Sequence, residues 1–263
     1  MIAIRLFCLW LMLWGAVSPC FGLEVTEVKD NEHTLLLSGQ IEPGDLNKIV
    51  KAVSPPNSFP KYFTLDSSGG DVLEAMKIGH FIRETASGTC VNKTCASACV
   101  FILVGGVSKT AWPSSDIGLH RPYFKPEHYA SLSLNEAEGG YAKVRNATRK
   151  YLVDMEVPTA YIEKMFSISS DDVYFLSETE KESLLVSPSA YSEWVRAKCD
   201  PPTAKEWELF KLKGFNIFDQ FDNPPPSNPV YVAFISKYNR SSACEESLVA
   251  DVREPVLKKY IKQ

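Results

Sequence analysis

The chain has 263 residues, 45% of them hydrophobic and 11% aromatic, with 14 Gly, 17 Pro and 7 Cys. That apolar content excludes a disordered polymer, and the sparse glycine excludes a collagen-like repeat; the length suffices for one core with an appendage, or for two small domains. A net charge of -4 and a pI near 5.7 leave no overall basic field for non-specific nucleic-acid binding.

Residues 1–22 carry one basic residue, Arg5, then an apolar run over residues 6–17, then Ser18, Pro19, Cys20, Phe21 and Gly22. The pattern predicts a secretory signal peptide, because the run is shorter than the ~20 residues a membrane-spanning helix needs. An uncleaved anchor is the other reading. Cleavage would remove Arg5, Cys8 and Cys20, leaving 27 basic against 32 acidic residues and five cysteines. The expected compartment is oxidising, periplasmic or extracellular, and no membrane span is expected after cleavage.

Short sheet-like segments follow at residues 24–28 and 34–38, and Glu42, Pro43, Gly44 and Asp45 make a turn. Asp45 as N-cap and the stripe Leu46, Ile49, Val50 and Val53 predict a helix over residues 46–53. Residues 62–65 predict a strand, Ser67-Ser68-Gly69-Gly70-Asp71 a turn, and residues 72–83 a helix, which together begin an α/β layer structure. Residues 95–104 are apolar throughout, so periodicity leaves strand and helix both open. Residues 135–155 predict a long amphipathic helix ending before Pro158.

From Cys199 onward the composition changes to proline-rich and aromatic pieces. The expected organisation is a signal peptide over 1–22, a main domain over 23–198 and an appended region over 199–263 packed on or beside it, with Cys199 and Cys244 as a candidate staple. Asn92, Asn146 and Asn239 head glycosylation sequons, which matter only in a source that glycosylates.

Four pieces meet chemical requirements. Gly69 and Gly70 at a strand end let a backbone N–H approach a substrate oxygen, as an oxyanion hole needs, or else form a tight turn. Ser97, between two alanines ahead of an apolar run, stands either as a nucleophile near a helix amino end or as an N-cap. His120 closes the short apolar segment 117–119 and is the best general base among four histidines; His33 and His128 have polar surroundings, and His80 falls on the helix after the glycines. Asp171 and Asp172 precede an apolar segment, where either could orient an imidazole or sit in a solvated turn.

The order and spacing of these motifs, together with residues 36–41, 64–72, 95–103 and 117–122, resemble the Clp protease proteolytic subunit family and its crotonase relatives, over about residues 35–186. They are more narrowly similar to exported Clp-like proteins with a Cys-x-Ser-x-Cys variant. The resemblance implies an α/β fold, a repeated β-β-α superhelix with two roughly perpendicular sheets, here with a carboxy-terminal appendage. It implies Ser97 as nucleophile, His120 as base, Gly69, Gly70 and the N–H of Ala98 as oxyanion hole, and Asp172 as triad acid, with Asp171 close behind. It also implies a buried helix over residues 96–104, and it puts the helix 135–155 in the place of an oligomerising handle.

The chain departs from the family at several points. Ser68 stands where proline is usual. Cys95 and Cys99 flank the nucleophile and Cys90 is close by, so a bond among them would either stiffen the turn or occlude Ser97. Five mature cysteines cannot all pair within one chain. Gly139 and Gly140 each cost about 1 kcal/mol relative to alanine in the handle and weaken the expectation of homo-oligomeric rings.

The expected activity is therefore an exported serine hydrolase acting on peptide or protein substrates, with no metal or organic cofactor and no ATPase partner. Two other readings stand beside it: a catalytically silent interaction protein of the same fold, and acyl-CoA chemistry, which neither the export signal nor Ser97 suits.

Overall fold

The computed structural model describes residues 22–28, 34–54, 59–124, 126–221 and 226–262. Residues 1–21 of the expected signal segment, and His33, lie outside the described residues. Strands β1 (Glu24–Glu27) and β2 (Thr34–Ser38) pair antiparallel; β2 then lies parallel to β3 (Tyr62–Ser67), which lies parallel to β4 (Gly88–Ala96). On the other edge of β4, its first half pairs with β5 (Lys109–Ala111) and its second half with β6 (Asp116–Leu119); β7 (Tyr174–Phe175) adds antiparallel to β6. The described strands thus form one mixed seven-stranded sheet that forks at β4, and the architecture is α/β.

The alternation of β3 follows from its side chains: Phe63, Leu65 and Ser67 are buried while Tyr62, Thr64 and Asp66 are half-buried, the period-2 pattern of a strand lying on a core. Between the strands lie α1 (Asp45–Val53), α2 (Val72–Glu84) and α3 (Cys99–Gly105). Asp71 caps α2 by accepting from the Glu74 N–H at 2.7 Å, and Ile78, Phe81 and Ile82 of α2 are fully covered. Helix α3 is buried along its whole length.

Two local expectations change. Asp45 is not the N-cap of α1; Gly44, at φ +96°, takes that position. Asp45 turns its carboxylate back to the N–H groups of Leu23 and Glu42, and the free N–H of Leu46 is satisfied by Oε1 of Glu74 at 2.9 Å. The segment 95–104 divides: Cys95 and Ala96 finish β4, and the helix begins only at Cys99, because Ser97 adopts a left-handed conformation that no helix continues.

The remaining elements are α4 (Pro126–Tyr129), α5 (Leu134–Asp154), α6 (Thr159–Ser167), α7 (Glu178–Leu184), α8 (Ser189–Cys199), α9 (Ala204–Leu212), a 3-10 turn (Ile217–Phe221) and α10 (Pro229–Ile261). In α5 only Thr148, Tyr151 and Leu152 are buried, so the half that holds Gly139 and Gly140 stands clear of the core. Tyr151 donates to the Phe101 carbonyl at 2.6 Å, joining α5 to α3.

The region from Cys199 onward has a small cluster of its own, Phe210, Tyr231, Phe234 and Ile235. Its long helix α10 also returns to the main core, where Leu257 and Tyr260 pack and the Tyr260 ring meets Phe81 at 5.0 Å. Cys199 and Cys244 form a disulfide that ties the end of α8 to the middle of α10.

Candidate active site

The site is built where β4 hands over to α3. Ser97 stands between them at φ +55°, a conformation a non-glycine residue adopts only when its surroundings hold it there. Three bonds do so. The Ser97 N–H donates to the Gly118 carbonyl of β6 at 3.0 Å, the Ser97 carbonyl accepts from the Val100 N–H at 3.1 Å, and a Cys95–Cys99 disulfide spans the turn. Cys90 is the free cysteine among the described residues; it is half-buried in mid-strand.

Against this turn lies the glycine loop after β3. Gly69 and Gly70 have φ +113° and +143°. A side chain at Gly69 would stand 3.0 Å from the Ala98 nitrogen, and one at Gly70 would overlap the Ile41 carbonyl. The loop is pinned by the Ile41 N–H donating to the Gly69 carbonyl at 2.9 Å and the Asp71 N–H donating to the Ile41 carbonyl at 2.8 Å. The Gly69 N–H is occupied by Ser67 Oγ at 3.1 Å. Among the described residues the N–H groups of Gly70 and Ala98 meet no acceptor, and both residues line one cavity.

That cavity has a volume of about 530 Å³, and Ser97 and His120 line it as well. His120 follows β6 and is 8% exposed. Its Nδ1 is 2.9 Å from the Arg121 carbonyl oxygen. A carbonyl can only accept, so Nδ1 carries a proton, and in the neutral ring Nε2 holds the lone pair, the tautomer a general base requires.

Asp171 and Asp172 are both exposed, in the turn that precedes β7. Asp171 is bonded to Ser169 and Ser170, and the Asp172 N–H donates to the Ser169 carbonyl at 3.3 Å. Neither lines the cavity, and neither carboxylate bonds to His120. Ser97, His120, Gly69, Gly70 and Ala98 thus line one cavity, with no hydrogen bond between Ser97 and His120 among the described residues, and both aspartates lie outside it.

The cavity has further walls that sequence reasoning missed. Tyr123 and Phe124 stand on one side, with the Tyr123 ring 5.8 Å from His120, and His128 stacks on Phe124 at 4.2 Å. The aromatic spacing just after His120 was the available signal. A second cavity, about 370 Å³, lies beside α10. Its charges are satisfied, Lys61 by Glu246 at 2.7 Å and Tyr191 by Glu245 at 2.6 Å, and it holds no nucleophile paired with a base.

Among the described residues no group of three or more His, Cys, Asp or Glu is arranged to hold a metal ion, and no helix is long and apolar enough to cross a membrane. A scan against protein-family models and a search of curated proteins both find no match.

Proposed function

We propose that the chain is an exported serine hydrolase of peptide or other acyl bonds, with a Clp/crotonase-like superhelical fold. The observation that carries this reading is Ser97, held at φ +55° on a strand-to-helix turn, in a cavity shared with His120 and with two backbone N–H groups that meet no acceptor among the described residues. In this mechanism Nε2 of His120 removes the Ser97 hydroxyl proton and Oγ attacks the substrate carbonyl. The N–H groups of Gly70 and Ala98 receive the negative charge on the carbonyl oxygen. His120 then gives its proton to the leaving group, and water hydrolyses the acyl-enzyme by the same steps in reverse.

The orienting group on Nδ1 is the Arg121 carbonyl rather than a carboxylate. A carbonyl fixes the tautomer but stabilises the imidazolium less than a full negative charge does, so turnover should be slow for a serine hydrolase. The two disulfides suit an oxidising compartment, and the aromatic wall of the cavity suits an apolar side chain of a peptide or acyl substrate. No cofactor enters the scheme, and no ATPase partner is required for a substrate that arrives unfolded or short.

The absence of an aspartate on His120 favours the second reading, a silent interaction protein of the same fold. A fluorophosphonate reagent separates them. Labelling of the oxidised protein that disappears in Ser97→Ala supports the hydrolase; no labelling under oxidising or reducing conditions refutes it.

A further inference from the structure

Asp45 is 1% exposed, yet it lies at the amino end of the described chain's first helix rather than in the catalytic cavity. Its Oδ2 accepts from the Leu23 N–H at 2.9 Å and from the Glu42 N–H at 2.7 Å, and its Oδ1 meets the Lys48 ammonium at 2.7 Å. The Lys48 side chain is 52% exposed, so the cation facing this buried carboxylate is itself largely in water. Leu23 is only 2% exposed and belongs to the main core. Gly22, just before it, lies against the same pair: a Cβ there would stand 2.9 Å from both Asp45 Oδ1 and Lys48 Nζ. Leu23 is also the first residue after the segment that carries the signal-peptide pattern.

We propose that Asp45 is the receptor for a new amino terminus at Leu23, created when a leader peptidase hydrolyses the Gly22–Leu23 bond. One water is consumed; Gly22 departs with a carboxylate, and Leu23 keeps its nitrogen as an ammonium. The nitrogen already in hydrogen-bond contact with Asp45 thereby changes from a neutral amide to a cation without having to move. A neutral hydrogen bond becomes a charge-assisted one, and the buried carboxylate gains a second counter-ion.

The consequence reaches the catalytic loop. The same Oδ2 holds the Glu42 N–H, and the adjoining Ile41 is the residue to which Gly69 and Asp71 are bonded. Asp45 is therefore a positioning residue. The ion pair fastens the segment on which the Gly69-Gly70 loop lies, so processing of the leader tightens the oxyanion site. This catalytic half rests on the hydrolase reading; the anchoring half does not.

The test exports the full-length precursor in two forms, native and with Gly-Ser inserted between Gly22 and Leu23, which moves the processed amine two residues away from Asp45. Amino-terminal sequencing of the native product is expected to begin at Leu23. The inserted form is expected to melt about 4–8 °C lower and to label at Ser97 at least about threefold more slowly with fluorophosphonate. Asp45→Asn should lower the native form at least as far as the insertion does, since it also weakens the contacts to Glu42 and Lys48, and the two changes together should cost less than their sum, because both remove the Leu23 ion pair. Should Asp45→Asn fail to fold, the insertion alone decides.

A native start other than Leu23, or equal Tm and labelling rate in native and inserted forms, overturns the proposal. A Tm difference in a protein that never labels retains the anchor and removes the hydrolase reading.

Discussion

The Cβ that Gly69 lacks would stand 2.7 Å from the Cβ of Ser97, so loop and nucleophile turn touch backbone against backbone. Alanine at this position must also tolerate φ +113°. Gly69→Ala is expected to destabilise the fold by about 1–3 kcal/mol and to slow fluorophosphonate labelling of Ser97 by about 100-fold or more, because the loop must withdraw from the site. Thermal melts and labelling rates on the same preparation measure the two effects separately.

Replacement of His120 by alanine should reduce labelling by about 10³-fold or more, since Ser97 loses its base. Asp171→Ala and Asp172→Ala should each leave the rate within about threefold, because neither carboxylate touches the imidazole and the Arg121 carbonyl holds Nδ1. A loss near that of His120→Ala in either aspartate variant would show that this carboxylate reaches the ring during the reaction.

The two disulfides should behave differently. Cys199 and Cys244 are 45 residues apart in sequence, and replacing both with serine should cost about 2–4 kcal/mol in denaturant titrations, through the freedom returned to the unfolded chain. Cys95 and Cys99 are only 4 apart, so their bond restrains the unfolded chain much less. Replacing that pair should slow Ser97 labelling by about tenfold while moving the denaturation midpoint less than loss of the other bridge does.

Lys109 supplies a pH signature. It is 7% exposed, and its ammonium donates to the Gly106 carbonyl at 3.4 Å. Burial, reinforced by the charge of Arg83 and opposed by Glu156, pushes its pKa down to about 8. The unfolded lysine keeps its proton up to ~10.4, so between these values the unfolded state binds more protons and stability rises with pH. Below about 8 both states are protonated and the penalty is constant. Lys109→Met is expected to raise stability at pH 7 by about 1–3 kcal/mol and to abolish this alkaline gain, read as the difference between the two proteins' stability curves.

Much of this geometry was legible in the chain. The five residues of β2 follow from their own composition, and the apolar face over residues 72–83 marked α2. Ser97, His120 and the paired glycines were chosen by residue type and chain order, and the fold gathers them at one cavity. Periodicity could not find the break at Ser97, because a left-handed residue between two apolar runs leaves no trace in hydropathy. Asp172 was hidden in another way: a carboxylate's distance from an imidazole depends on how the turn before β7 is folded, which its neighbours Ser169 and Ser170 decide. Asp45 looked like a cap because caps are local, whereas its partner Leu23 lies 22 residues away. In the tail, Asn228 and Pro229 mark the start of α10, but a weak apolar period and the internal Pro255 disguise its 33-residue length.

The return of α10 to the main core sets an order of assembly. Leu257 and Tyr260, among the last residues described, pack against the same cluster as Phe81. A chain made from its amino end cannot seal that cluster until residues 257–260 have left the ribosome, so one side of its interior stays open while everything before them is made.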